Sequence, residues 1–264
     1  TRPARDVPPE KVIEAVERGM RDTGYNEFSL LSLSCSDYLA LPSVGLEIKN
    51  RLKDENVTLS LPSQRIDRFD DSIADILGGA GKAGLTFAPE AGTQRLRDIV
   101  NKGLTNDELL HGVQTAYDRG WRNVKLYFMI GLPGETDADV LGIAETVAWL
   151  IKTVAGNKAR KRDRLSLTLT LSNFTPKPHT PFQWAAMDSL DAIGRKQALL
   201  KQRVRPHRQV DLRTHDADGS VLEGIVARGD RRLADVIEDA WNKGARFDSW
   251  DDQLNLEAWR SALD

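Results

Sequence analysis

Residues 124–136 form an apolar run that ends in a glycine- and proline-rich turn. Val124 to Ile130 is β-prone apart from Lys125, and Gly131, Pro133 and Gly134 stop the strand. Thr136 and Asp137 stand where a helix cap is needed, ahead of an apolar stripe at Val140, Ala144, Val147 and Ile151. A strand that enters a glycine turn and then a helix is a βα unit, and repetition of such units along the chain implies an α/β architecture with a parallel sheet. In such folds the carboxyl ends of the strands share one rim, and glycine lets a ligand approach the backbone there. An ordinary strand-to-helix turn is the plainer reading of the same residues.

The same alternation runs along the chain. Strands are predicted at Glu27–Leu33, Val57–Leu61, Leu85–Ala88 (ended by Pro89), Val124–Ile130, Leu165–Leu171 and Val210–Arg213. Leu165–Leu171 alternates strictly, which predicts one apolar face. Helices are predicted after Val7-Pro8-Pro9 to about Asp22, at Leu39–Leu52 with an interruption near Pro42, and at Ser72–Gly79, Thr93–Asn101, Asn106–Arg119, Asp137–Val154 and Leu190–Arg203. About six strands in roughly 210 residues suit a partial (β/α) barrel better than a closed eight-fold one of about 250 residues. A doubly wound open sheet is the runner-up. The expected organisation is a barrel core over residues 1–215 and a helical extension over 216–264 containing Trp241, Trp250 and Trp259. Those tryptophans are expected to pack a helix onto the barrel.

Composition narrows the function classes. Charged residues make up 29% of the 264 positions and net charge is −2, so no global field recruits nucleic acid or anionic lipid. No apolar run nears the roughly 18 residues of a membrane span, and no secretory signal is visible. A single cysteine, Cys35, rules out an internal disulfide and suits a reducing cytoplasm. It also rules out an all-cysteine metal or cluster site built within this chain. The chain opens on Thr1 rather than methionine, which reads as a piece of a longer protein.

The predicted rim collects hydroxyls, amides and a few charges. Its members are Ser32, Ser34, Ser36 and Asp37; Ser60, Ser63, Gln64 and Arg65; Glu90, Gly92, Thr93 and Arg95; Gly131 to Glu135; and Asn173, Thr175, Lys177, His179 and Thr180. That set suits a polar organic ligand carrying both amine and carboxylate. Glu90 can bind a ribose diol or an ammonium, or simply favour a helix start. Arg95 and Lys102 can pair with a ligand carboxylate, although a surface role fits Lys102 better. His179 has no second histidine nearby in sequence, and Cys35 reads as a buried strand-end residue, since no histidine partner is apparent in the sequence. Glu135 is expected to brace backbone N–H groups of the turn. Lys158 to Arg164 reads as a solvated connector, and Arg228 to Arg232 as an internally paired cap.

Three stretches together resemble the core of the radical S-adenosylmethionine superfamily. They are Leu85 to Arg97 around Pro89-Glu90-Ala91-Gly92-Thr93, Met129 to Thr136, and Asn173 to Trp184. The likeness is nearest to its cobalamin-binding group, whose tail resembles Leu222 to Leu233 and Gly244 to Trp250. The resemblance implies a partial barrel holding S-adenosylmethionine across its strand ends. Ser34 to Ser36 would meet the methionine amino group, with Ser60 beside the methionine moiety. Glu90 and Arg95 would serve the ribose and the carboxylate. Backbone at Ile130, Gly131 and Leu132 would read adenine, flanked by Phe174 and Pro176. The resemblance further implies reductive cleavage to a 5′-deoxyadenosyl radical at a 4Fe–4S cluster, an electron donor such as flavodoxin or ferredoxin, and cobalamin in an upstream module. The family's C-x3-C-x2-C motif is absent here. The chain therefore reads as the core cut just after its cluster loop, with the first barrel strand missing and no radical chemistry of its own. A degenerate homologue that lost the cluster is the alternative.

Two other classes remain open on the residues. One is a non-catalytic binding module that docks a partner through the barrel and tail. The other is a barrel hydrolase or lyase using Glu90 with His179, which lacks a second acid or a metal set.

Overall fold

The computed structural model describes residues 5–32, 35–55, 57–61, 64–77, 84–156, 164–250 and 252–264. Helix α1 (Pro9–Thr23) starts on a proline, whose missing N–H costs nothing at a helix N-terminus, and ends on Gly24 at φ 75°. Its Ile13, Val12 and Val16 pack on Val44 and Ile48 of α2 (Leu41–Arg51). Between them lies strand β1 (Glu27–Ser29), which pairs in parallel with β2 (Thr58–Ser60), Phe28 opposite Leu59. A groove of about 660 Å³ runs between α1 and β1, lined by Val12, Val16, Met20, Phe28, Leu30 and Leu31 among others.

A second parallel sheet carries the rest of the chain, in the order β3 (Leu85–Glu90), β4 (Asn123–Ile130), β5 (Ser166–Asn173), β6 (Val210–Thr214). Helices α3 (Asp71–Ile76), α4 (Gln94–Ile99), α5 (Asn106–Asp118), α6 (Asp137–Ala155) and α7 (Leu190–Val204) connect and cover these strands. Val124, Leu126, Phe128 and Ile130 of β4 are at most 1% exposed, in one core with Leu109 and Val113 of α5 and Val140, Val147 and Leu150 of α6. Each such side chain contributes about 1.5–3 kcal/mol on burial. Phe69 meets Phe87 edge-on at 5.3 Å and Trp121 at 6.1 Å, tying the sheet to the segment ahead of α3. Three helices follow: α8 (Ala217–Arg228), α9 (Leu233–Asn242) and α10 (Leu256–Leu263).

The α/β class with parallel strands and an unclosed barrel agrees with expectation, and the differences are local. Strands β1 and β2 are three residues each, shorter than their apolar runs. Pro89 does not end β3. The strand continues to Glu90 through a register shift between Phe87 and Glu90, which is where a strand tolerates proline. Pro42 does not interrupt α2 but sits in its first turn. Strand β5 lies inside the sheet, so Thr168 is buried as well as the leucines, and its hydroxyl donates to Asn123 Oδ1 (3.3 Å). Trp241 and Trp250 are 56% and 65% exposed rather than packed on the barrel. Trp259 packs against Ala240, Ala245 and Ala258, and the Arg246 guanidinium stacks on the Trp241 ring. Residues 157–163, most of the basic connector, lie outside the described residues.

Candidate functional site

At the end of β3 the backbone of Glu90 turns left-handed, φ 69°. Such a conformation is uncommon for a residue with a Cβ and re-aims its side chain. The Glu90 carboxylate accepts from Lys102 Nζ at 2.9 Å, both side chains being about two-thirds buried. Lys102 sits between two more left-handed residues, Asn101 (φ 53°) and Gly103 (φ 64°). Arg97 fixes both segments. Its guanidinium is fully buried and donates to Ala91 O (3.0 Å), to Leu104 O (3.0 Å) and to Asn106 Oδ1. No carboxylate partners it in these bonds, and burial pushes its pKa down.

At the end of β4 the turn is built on Gly131 (φ 82°) and Gly134 (φ 77°). Gly131 N–H donates to Glu135 Oε1 at 2.8 Å. That carboxylate is 2% exposed and also meets Lys196 Nζ of α7 at 2.7 Å; Lys196 reaches Asp188 Oδ2 at 2.6 Å. Burial pushes the Glu135 carboxyl up, against the pull of Lys196 and of Gly131 N–H. Burial acts against the Lys196 charge too, but its bonds to Asp188 and Glu135 prevail and hold its pKa up.

The first turn of α6 is closed by a capping box in which Asp139 accepts from Thr136 N–H (2.8 Å) and Thr136 Oγ1 (2.7 Å). Thr93 Oγ1 and Arg95 donate to the same carboxylate. Burial would raise the Asp139 pKa, but Arg95, Thr93 and Thr136 outweigh it and hold the group well below the usual range.

An apolar shelf joins the two strand ends. Ala91, Leu96, Leu132 and Phe174 are buried together, with Met129 and Phe182 against them. Phe174 N–H donates to Ile130 O at 2.8 Å, and the Phe174 and Phe182 rings meet edge-on at 6.2 Å.

The structure thus gathers Ile130, Gly131, Leu132 and Phe174 at one place, with Glu90 one residue from the shelf at Ala91. Pro176 is buried nearby in sequence. Arg95 reaches the turn as well, donating to Gly134 O (3.0 Å), but its charge is committed to Asp139. Ser60 ends β2 in the smaller sheet, where its carbonyl accepts from Leu30 N–H (3.2 Å). Ser36 falls in the 3-10 turn Cys35–Asp37, and Ser34 lies outside the described residues. Asn173 is spent on docking α8, donating to Ser220 Oγ (2.9 Å). His179 is exposed, and Glu90 pairs with Lys102 rather than with a histidine. Cys35 is 4% exposed, and its thiol donates to Leu30 O.

Four contributors escaped the sequence reading: Arg97, Asp139, Asp188 and Lys196. Two left a signal. Asp139 stands three residues after a threonine cap. Lys196 interrupts the stripe Ile193, Leu200, Val204, where a lysine on an apolar helix face implies a buried partner.

A family model for the radical SAM superfamily matches residues 1–147. The chain belongs to the radical SAM superfamily. It is 28% identical over 222 residues to an uncharacterised protein of Methanocaldococcus jannaschii, covering 84% of this chain and 46% of the relative. It is 26% identical over 132 residues to a Pyrococcus horikoshii protein named as an uncharacterised methyltransferase, covering 50% of this chain and 28% of that one. In fold it resembles Streptococcus suis SuiB bound to S-adenosylmethionine, with a TM-score of 0.52 at 14% identity over 84% of this chain and 48% of that one. The chain spans less than half the length of each of these three proteins.

The donor set fits S-adenosylmethionine in kind. A half-buried carboxylate–ammonium pair suits a diol or an amino acid head, and an apolar shelf beside glycine backbone suits a purine. The residues do not fit an iron–sulfur cluster. The sequence holds one thiol, and among the described residues no three His, Cys, Asp or Glu side chains could hold a metal. Nor is any helix among them long and apolar enough to cross a membrane.

Proposed function

We propose that this chain is the S-adenosylmethionine-binding part of a radical SAM enzyme. The observation that carries the reading is Glu90. A strained left-handed backbone at a strand end turns its carboxylate to Lys102, one residue from the Ala91, Leu132 and Phe174 shelf. Strain of this kind costs about 1–3 kcal/mol and gathers at functional sites. In this reading Glu90 and Lys102 take the ribose hydroxyls and the methionyl carboxylate, while Gly131 and Leu132 backbone and the Phe174 ring take adenine. Lys102 replaces Arg95 as the nearer cation, because Arg95 is held by Asp139. Ser34, Ser36 and Ser60 keep the methionine end.

This chain's residues account for holding the ligand and not for delivering an electron to it. Reductive cleavage is a proposal for the whole protein, with its cluster and an electron donor such as flavodoxin or ferredoxin. Methyl transfer is supported by the name of the Pyrococcus relative, and cobalamin by the sequence resemblance alone.

Equilibrium dialysis of labelled S-adenosylmethionine against the chain tests the reading. Saturable binding is expected, weakened about ten-fold or more in Glu90→Gln by loss of a charged hydrogen-bond partner. In the full-length protein, reconstituted without oxygen and reduced, 5′-deoxyadenosine should form. A folded protein with no saturable binding would favour the non-catalytic module, the reading to which the exposed Trp241, Phe247 and Trp250 give some support.

A further inference from the structure

One lysine joins the glycine turn to the loop that follows β5. Lys196 occupies the buried stripe of α7 and is the cation shared by two carboxylates, Glu135 at 2.7 Å and Asp188 at 2.6 Å. Glu135 Oε1 also accepts the N–H of Gly131. Asp188 lies against the other side of that glycine, since a Cβ at position 131 would stand 3.0 Å from Asp188 Oδ2. The loop over 174–188 therefore touches the turn at both ends. Phe174 packs with Leu132, and Asp188 abuts Gly131. Without the ammonium, two carboxylates would face each other beside Gly131 with little water to screen them, and one or both would have to move or take a proton.

We propose that Lys196 is a positioning residue for S-adenosylmethionine. It sets the Gly131–Leu132 turn, and with it the surface on which adenine rests. The proposal depends on the ligand assignment made above for this rim. It also accounts for a glycine at 131. Positive φ favours glycine there, and the Asp188 carboxylate leaves a side chain little space.

The neighbouring Arg195 supplies a control on the same helix. It pairs with Asp137 at 2.7 Å, but both side chains are 55% exposed and neither bonds the turn's backbone. Equilibrium dialysis should show S-adenosylmethionine and S-adenosylhomocysteine affinity falling about ten-fold or more in Lys196→Met, by loss of charged hydrogen bonds that hold the turn. Competition by free L-methionine, which lacks the adenosine, should be unchanged. Lys196→Arg should recover most of the loss, and Arg195→Met should bind as the wild type does. Hydrogen exchange of the 131–135 peptide, without ligand, should speed up in Lys196→Met only. If Lys196→Met does not melt cooperatively, Asp188→Asn carries the test, with the same adenosine-specific loss expected. A wild type that binds no S-adenosylmethionine overturns the rim assignment and this proposal together. A wild type that binds, beside a folded Lys196→Met of equal affinity, overturns the role of Lys196 alone.

Discussion

Gly92 and Gly142 let the loop after β3 and helix α6 touch backbone to backbone. A Cβ at 92 would lie 2.2 Å from Ile143 N and 2.6 Å from Gly142 C, which are backbone atoms that cannot swing aside. Thr146 Oγ1 closes the contact on Gly92 O at 2.8 Å. Gly92→Ala is therefore expected to cost about 3 kcal/mol or more, toward the upper end for overpacking, read as a lower urea midpoint. An unchanged midpoint would show that the loop and helix can separate without loss. The Gly-Thr pair at 92–93 was visible in the sequence as a polar strand end. Its partner, 50 residues on, was not, because close approach leaves no local pattern. Arg97 makes the same point. As a letter it is a surface residue of a short helix, and only the fold shows its guanidinium holding the carbonyls of Ala91 and Leu104.

At the scale of elements, the first turn of α6 is a junction. Asp139 caps its own helix and draws in Thr93 and Arg95, so α4 and α6 are joined by one carboxylate. Its depressed pKa has a definite sign. The folded state binds the Asp139 proton more weakly than the unfolded state, whose value is near 3.8. The stabilisation is therefore complete above that pH and is lost as pH falls toward the folded value. Asp139→Asn is expected to be less stable than wild type at pH 7, with a shallower decline in stability below pH 4. Urea melts at pH 7, 5, 4 and 3 measure this, and parallel acid limbs in the two proteins would rule it out. Thr136 was legible as a cap, but the sequence reading paired it with Asp137, whereas the box is closed by Asp139. The link to Arg95 was not legible, and it is what removes Arg95 as the natural partner for a ligand carboxylate.

Across the whole molecule the two sheets differ in extent. Strands β4 and β5 pair over eight residues each, inside a sheet with neighbours on both sides, whereas β1 and β2 pair over three. Few hydrogen bonds and an open edge make for local opening at low free energy. Hydrogen exchange should therefore show peptides over 27–31 and 57–61 exchanging well before those of β4 and β5, and uniform protection would contradict this. The sequence by itself determined the alternation of strands and helices, the parallel sheet, the glycine turn after Ile130 and the placing of Glu90 at a strand end. These follow from side-chain periodicity, from proline and glycine backbone limits and from capping residues, all of which act over a few positions. Tertiary structure alone decided which charges are free to meet a ligand. Arg95 is taken by Asp139, Lys102 is brought to Glu90, and Lys196 crosses from α7 to hold Glu135 and Asp188. Those pairings join residues up to 61 positions apart, and their energies depend on burial and on distances of about 3 Å that only the packed chain defines.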